Sequence, residues 1–86
     1  MKKLTYTVQD KNGVHARPAG LLVKAAEGFS SVITISCGDR SSDCKKLLRL
    51  MAMGIKHGEK IMICADGEDE DEAIAAIGEV IREIGL

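Results

Sequence analysis

The order in which two apolar periods alternate along this chain constrains its fold more than any other feature. From Lys3 to Gln9, Leu4, Tyr6 and Val8 alternate with Lys3, Thr5 and Thr7, the period of a strand with one buried face. Pro18 pre-sets a helical φ and lacks an N–H that a first helical turn leaves unpaired, so it predicts a helix start. Ala19, Leu22, Val23 and Ala26 then recur on one face up to about Glu27, while Lys24 and Glu27 point elsewhere and Gly28 predicts a stop. Val32 to Cys37 is β-branched and alternating, and Gly38-Asp39 predicts a hairpin turn into a short strand over Arg40 to Asp43. Lys45 to Met53 predicts a short helix with Gly54 as its C-terminal cap. After a turn at Gly58, Lys60 to Ala65 predicts a strand with Ile61 and Ile63 on one face and Met62 and Cys64 on the other. A last helix over Glu70 to Ile84 places Ile74, Ile77, Ile81 and Ile84 together and ends at Gly85. The order β-α-β-β-α-β-α predicts an α+β architecture, a sheet covered by helices on one side.

At 86 residues the chain can bury one hydrophobic core but not two, so residues 1 to 86 are expected to form a single domain. With one Tyr, one Phe and no Trp, that core is aliphatic. No apolar run reaches the length of a membrane span and the N-terminus lacks the apolar stretch of a signal peptide, so the expectation is a cytoplasmic protein without membrane insertion. Cys37, Cys44 and Cys64 contain no C-x-x-C pair and His57 is isolated. That pattern points to reduced, mostly buried cysteines, with no metal site and no cofactor. Net charge is −1, yet residues 1 to 60 carry 11 Lys or Arg against 5 Asp or Glu, whereas residues 61 to 86 carry 1 against 8. Part of the acidic excess, Glu68 to Glu72, falls where the last helix begins, and negative charge is favourable there. The basic excess includes Arg17, Lys24, Lys45, Lys46 and Arg49 and suits either an acidic protein partner or plain solvation.

The chemistry concentrates in Gly13-Val14-His15-Ala16-Arg17-Pro18-Ala19. A neutral imidazole has one unprotonated ring nitrogen and can attack phosphorus near neutral pH without an auxiliary base. His15 is therefore the candidate nucleophile. The N–P bond it would form is labile, which serves a carrier better than a hydrolase. Arg17 adds a permanent charge and a planar fork for phosphate oxygens. The free N–H groups and positive dipole end of the helix lie beside His15 and Arg17 and would stabilise a doubly charged phosphoryl group, with Ala16 and Arg17 as the expected phosphate-binding residues. Gly13, without a Cβ, is expected to let a partner's phosphate approach the backbone closely. In the second helical stretch Leu47, Leu48, Leu50 and Met51 cluster too closely to share one narrow stripe, so at least two of them are expected at the surface. An apolar patch rimmed by Lys and Arg has the composition of an interaction site.

Across essentially the whole chain the sequence resembles the histidine-containing phosphocarrier family, HPr, of the bacterial phosphoenolpyruvate:sugar phosphotransferase system. The resemblance rests on the heptapeptide above, on Leu50-Met51-Ala52-Met53-Gly54-Ile55 followed by Gly58, and on Asp66-Gly67 before the acidic helix. It implies an open-faced sandwich, a four-stranded antiparallel sheet with three helices on one face. It also implies that His15 accepts a phosphoryl group on Nδ1 from enzyme I and passes it to sugar-specific IIA proteins or domains, with Arg17 assisting. Gly20, Leu47, Leu48 and Met51 correspond to an apolar docking surface on a monomeric carrier, a link in a phosphotransferase chain and not a free-standing enzyme. Many Gram-positive members carry a regulatory serine where this chain has Lys46, and small residues are common where it has Arg49. Lys46 cannot accept that modification, and Ser41 and Ser42 lie too far upstream to replace it. The two cations are expected to raise the on-rate toward an acidic partner.

Some paralogues of that family report on carbon or nitrogen status without transporting sugar, and a role of this kind is the alternative expectation. RNA-recognition modules share much of the element order, but they stack bases on sheet aromatics, and only Tyr6 lies in a strand here, so no nucleic acid is expected as a partner. A ferredoxin-like metal carrier would need a C-x-x-C loop. No second acid, base or metal cluster is visible to support an independent enzyme.

Overall fold

The computed structural model describes residues 1 to 86. Its elements are β1 (Lys2–Thr7), α1 (Ala16–Glu27), β2 (Val32–Cys37), β3 (Arg40–Asp43), α2 (Leu47–Ala52), β4 (Lys60–Asp66) and α3 (Glu70–Ile84). The strands form one sheet in the order β1-β4-β2-β3, and each neighbouring pair is antiparallel. β1 and β2 therefore run parallel on either side of β4, which is why the chain between them must cross the sheet and can do so as a helix.

Alternation decides which face is covered. Ile33 and Ile35 of β2 and Ile61, Ile63 and Ala65 of β4 are fully buried, with Ile35 opposite Ile63 and Ile33 opposite Ala65. Onto that row α1 packs Ala19, Leu22 and Ala26, and α3 packs Ala73, Ile77 and Ile81. Removing each large aliphatic side chain from water contributes about 1.5–3 kcal/mol, enough to set the register of both central strands. Ile74 and Ile84 lie at the half-buried margins of the α3 stripe. The opposite sheet face, with Thr5, Thr34, Met62 and Cys64, carries no helix. Cys37 and Cys44 are buried and Cys64 is half-buried, and burial pushes the Cys44 thiol up to about 12.

Two helices begin elsewhere than the sequence predicts. α1 starts at Ala16 and not at Pro18, because His15 is extended (φ −90°, ψ −172°) and its carbonyl accepts the Ala19 N–H at 3.0 Å. Pro18 occupies the third helical position, where an N–H would still have no partner, so its ring is tolerated there. α2 starts at Leu47 and not at Lys45. The Lys45 N–H donates to Asp43 Oδ1 at 2.8 Å and its Nζ to the Phe29 carbonyl at 2.7 Å, which holds this residue out of the helix. β1 and β4 differ from expectation only by one or two residues at their ends. Gly38 takes a positive φ of 64° in the predicted two-residue turn between Cys37 and Arg40.

The acidic run before α3 contains a long-range tie. The side chain of Asp69, at the N-cap, does not bond its own helix. Its carboxylate accepts the N–H groups of Ser30 at 2.8 Å and Ser31 at 2.9 Å and both serine hydroxyls, joining the start of α3 to the segment between α1 and β2. The Ser31 hydroxyl, and then the Ser30 N–H, hold the Asp69 carboxyl down at about 2. A carboxyl depressed in the folded state stabilises that state above the unfolded carboxylate range, and the contribution is lost as pH falls through the folded value. The urea midpoint of the native protein should accordingly drop between pH 4 (roughly the unfolded carboxylate value) and pH 2 more steeply than that of Asp69→Asn, as fluorescence-free probes such as far-UV circular dichroism can record.

Candidate functional site

The His15 end of the molecule is built by backbone contacts between two loops. Gly13 is buried with φ +66°, and a Cβ built on it would stand 2.2 Å from the Ile55 carbonyl oxygen. That oxygen accepts the Val14 N–H at 3.0 Å. The residue approaching Gly13 is thus Ile55 of the same chain, and this corrects the expectation that the missing Cβ makes room for a phosphate. The opposing loop is pinned from its other side by Arg40, which donates to the Met53 carbonyl and to Glu59 Oε2, both at 2.6 Å. Glu59 in turn accepts the Lys56 N–H at 2.8 Å. Val14, Met53 and Ile55 are buried between these clamps.

His15 follows as the N-cap of α1, with 42% of its side chain exposed. The main-chain N–H groups of His15, Ala16 and Arg17 have no acceptor in the protein, and Pro18 has none to offer, so the unpaired donors of the helix entrance converge on these three residues. Arg17 lies inside the first turn, not ahead of the helix, and its guanidinium forms no ion pair. His15 and Arg17 line one small cleft of about 60 Å³ together with Asp10, Leu21 and Ile84.

Asp10 is the residue that sequence reasoning missed. Its Oδ1 accepts the Asn12 N–H at 2.9 Å, closing an Asx-type turn, and its Oδ2 stands 3.2 Å from His15 Nε2. The Asn12 N–H, and then His15, hold the Asp10 carboxyl below its ordinary range. The signal was local: an Asp two residues before Asn12-Gly13 is an Asx-turn pattern, and the turn brings residues 10 and 15 face to face.

A model of the PTS HPr component phosphorylation site matches residues 2–83. The chain belongs to the HPr family. It is 44% identical to the phosphocarrier protein HPr of Mycoplasma capricolum over 100% of this chain and 97% of that protein. It is also 37% identical to the HPr of Lysinibacillus sphaericus, with 100% and 98% covered. A solved mycoplasma histidine-containing phosphocarrier protein superposes with a TM-score of 0.97 at 44% identity, covering 99% of this chain and 97% of that one. The open-faced sandwich of HPr is therefore the fold of this chain.

Leu47, Leu48 and Met51, expected from the sequence to form a docking surface, do not line the His15 cleft. Leu48 is 81% exposed, Leu47 39% and Met51 38%, whereas Leu50 and Met53 point into the core. One six-residue helix cannot turn so many large apolar side chains inward, and the excess is left at the surface as expected. Leu47 and Leu48 line a shallow groove against Val23 and Glu27 of α1, edged by Lys46 and Arg49. Gly20, half-buried, is one turn before Val23 and Lys24 on α1, and an added Cβ there would meet nothing. Neither Gly20 nor Met51 lines the groove itself.

Lys46 is the N-cap of α2 and its side chain forms no capping bond, so a cation stands at the positive end of the helix while the first N–H groups stay unpaired. A serine oxygen in that place would accept one of those N–H groups. Lys46→Ser should raise stability by about 0.5–1.5 kcal/mol, visible in thermal unfolding as an upward shift of a few degrees.

Proposed function

We propose that this protein carries a phosphoryl group on His15 in a phosphoenolpyruvate-dependent sugar phosphotransferase chain, receiving it from enzyme I and delivering it to IIA proteins or domains. The observation that carries this reading is the exposed imidazole of His15 beside three unpaired main-chain N–H groups and the free Arg17 guanidinium. Those donors neutralise the charge of a phosphoryl group on the ring, and Arg17 can grip two of its oxygens. The cleft that His15 and Arg17 line, about 60 Å³, is far smaller than the roughly 300–1,000 Å³ of a small-molecule site, which supports a carrier whose sugar specificity belongs to its partners. The carrier is one domain, monomeric and cytoplasmic. No helix is long and apolar enough to cross a membrane.

Docking falls to Leu47, Leu48 and Met51, with Gly20 leaving α1 flat beside them. Lys46 and Arg49 add charge at the edge of this patch, and Lys46 has no hydroxyl through which the serine-based regulation of many Gram-positive relatives could act.

Incubation with phosphoenolpyruvate and enzyme I should add one phosphoryl group to the intact mass. The gain should be acid-labile and absent from His15→Ala, and no gain with several enzyme I proteins defeats the carrier reading. Rates of transfer to an acidic IIA protein provide a second check. Lys46→Ser and Arg49→Gly should slow transfer at low ionic strength, and the difference should vanish once the screening length falls to about 3 Å in 1 M salt. Rates that match the parent protein at every salt concentration would remove the docking role of these cations.

A further inference from the structure

We propose that Asp10 is a positioning residue that holds the His15 ring in the Nε2–H tautomer and so keeps Nδ1 free for phosphoryl transfer. The proposal rests on the carrier reading above. Asp10 is itself fixed, because its Oδ1 is occupied by the Asn12 N–H at 2.9 Å, and its main-chain N–H donates to the Leu86 carbonyl at 2.7 Å. That leaves Oδ2 facing His15 Nε2 at 3.2 Å. An ionised carboxylate accepts hydrogen bonds and donates none. The nitrogen facing it must therefore carry the proton, and the lone pair of the neutral ring falls on Nδ1.

The tautomer makes the reaction cycle free of proton movement at this protein. The Nδ1 lone pair attacks the phosphorus of a phosphorylated donor protein, an N–P bond forms, and the bond from phosphorus to the donor breaks with its electron pair leaving on the donor. Nε2 keeps its proton throughout, hydrogen-bonded to Asp10. When an acceptor protein takes the phosphoryl group, the N–P electrons return to Nδ1 and the same neutral tautomer is restored. In the opposite tautomer Nδ1 carries a proton and has no lone pair to attack with.

Two substitutions separate this role from a structural one. Asp10→Asn preserves the turn, since its single carbonyl oxygen is claimed by the Asn12 N–H, a donor that cannot reverse. Its NH₂ group then faces His15 Nε2 and selects the wrong tautomer. Asp10→Ala releases the ring without inverting it but gives up the turn. The proposal thus expects kcat for phosphoryl acceptance from enzyme I to fall in the order native, Asp10→Ala, Asp10→Asn. The loss in Asp10→Asn should be roughly tenfold or more, with KM for the donor unchanged. A role confined to the turn expects the reverse order, because Asn keeps the turn and Ala does not. Long-range ¹H–¹⁵N spectra of the unphosphorylated proteins should show Nε2–H in the native protein and a shift toward Nδ1–H in Asp10→Asn. The native tautomer in Asp10→Asn, or a kcat for Asp10→Asn equal to or above that of Asp10→Ala, overturns the proposal. The spectra require no partner, so a native protein that takes no phosphoryl group refutes the carrier reading while the tautomer is still decided.

Discussion

The chemistry at one end of this molecule depends on a single close contact, the Gly13-Val14 backbone seated on the carbonyl of Ile55. Only a glycine can occupy position 13, because its φ is positive and the space a Cβ would take is filled by main-chain atoms. Through the Val14 hydrogen bond the contact sets where the chain enters α1, and with it the place of His15. Arg40 and Glu59 brace the Ile55 loop from behind. His15 is thereby placed by a loop that the β2–β3 hairpin and the end of α2 brace through Arg40, Met53 and Ile55.

Two features lie at different places along α1. The N-terminus of α1 presents His15, Ala16 and Arg17 with their unpaired N–H groups, while a shallow groove opens further along, between α1 and α2. Asp69 closes the opposite end by binding Ser30 and Ser31 at the start of α3. Part of the acidic excess of the last third of the chain is used there and at the start of β1, where Glu70 and Asp71 pair with the Met1 amino group and Lys2.

Much of this was legible in the residues. β2, β3 and α3 fall where the periodicity puts them, and the α3 bounds agree at both ends. The surplus of large apolar residues in α2 announces exposed side chains, and Leu48 is almost fully exposed. The starts of α1 and α2 were not legible. Each depends on a bond to a residue outside the helix: His15 is held extended by the loop on Ile55, and Lys45 is drawn toward Asp43 and Phe29. Local propensity has no access to such partners.

By itself the sequence determined the layering of sheet and helices, the aliphatic core and the placing of an imidazole and a guanidinium together at a helix entrance, because each follows from periodicity or from the order of neighbouring residues. Only the tertiary structure decided what Gly13 makes room for and what Asp69 binds. These depend on carbonyls and carboxylates brought together from separate segments by packing, and Ile55 is 42 positions from Gly13, as Asp69 is 38 from Ser31. No periodicity spans such separations, and the burial that closes them is a property of the whole sheet and its helices.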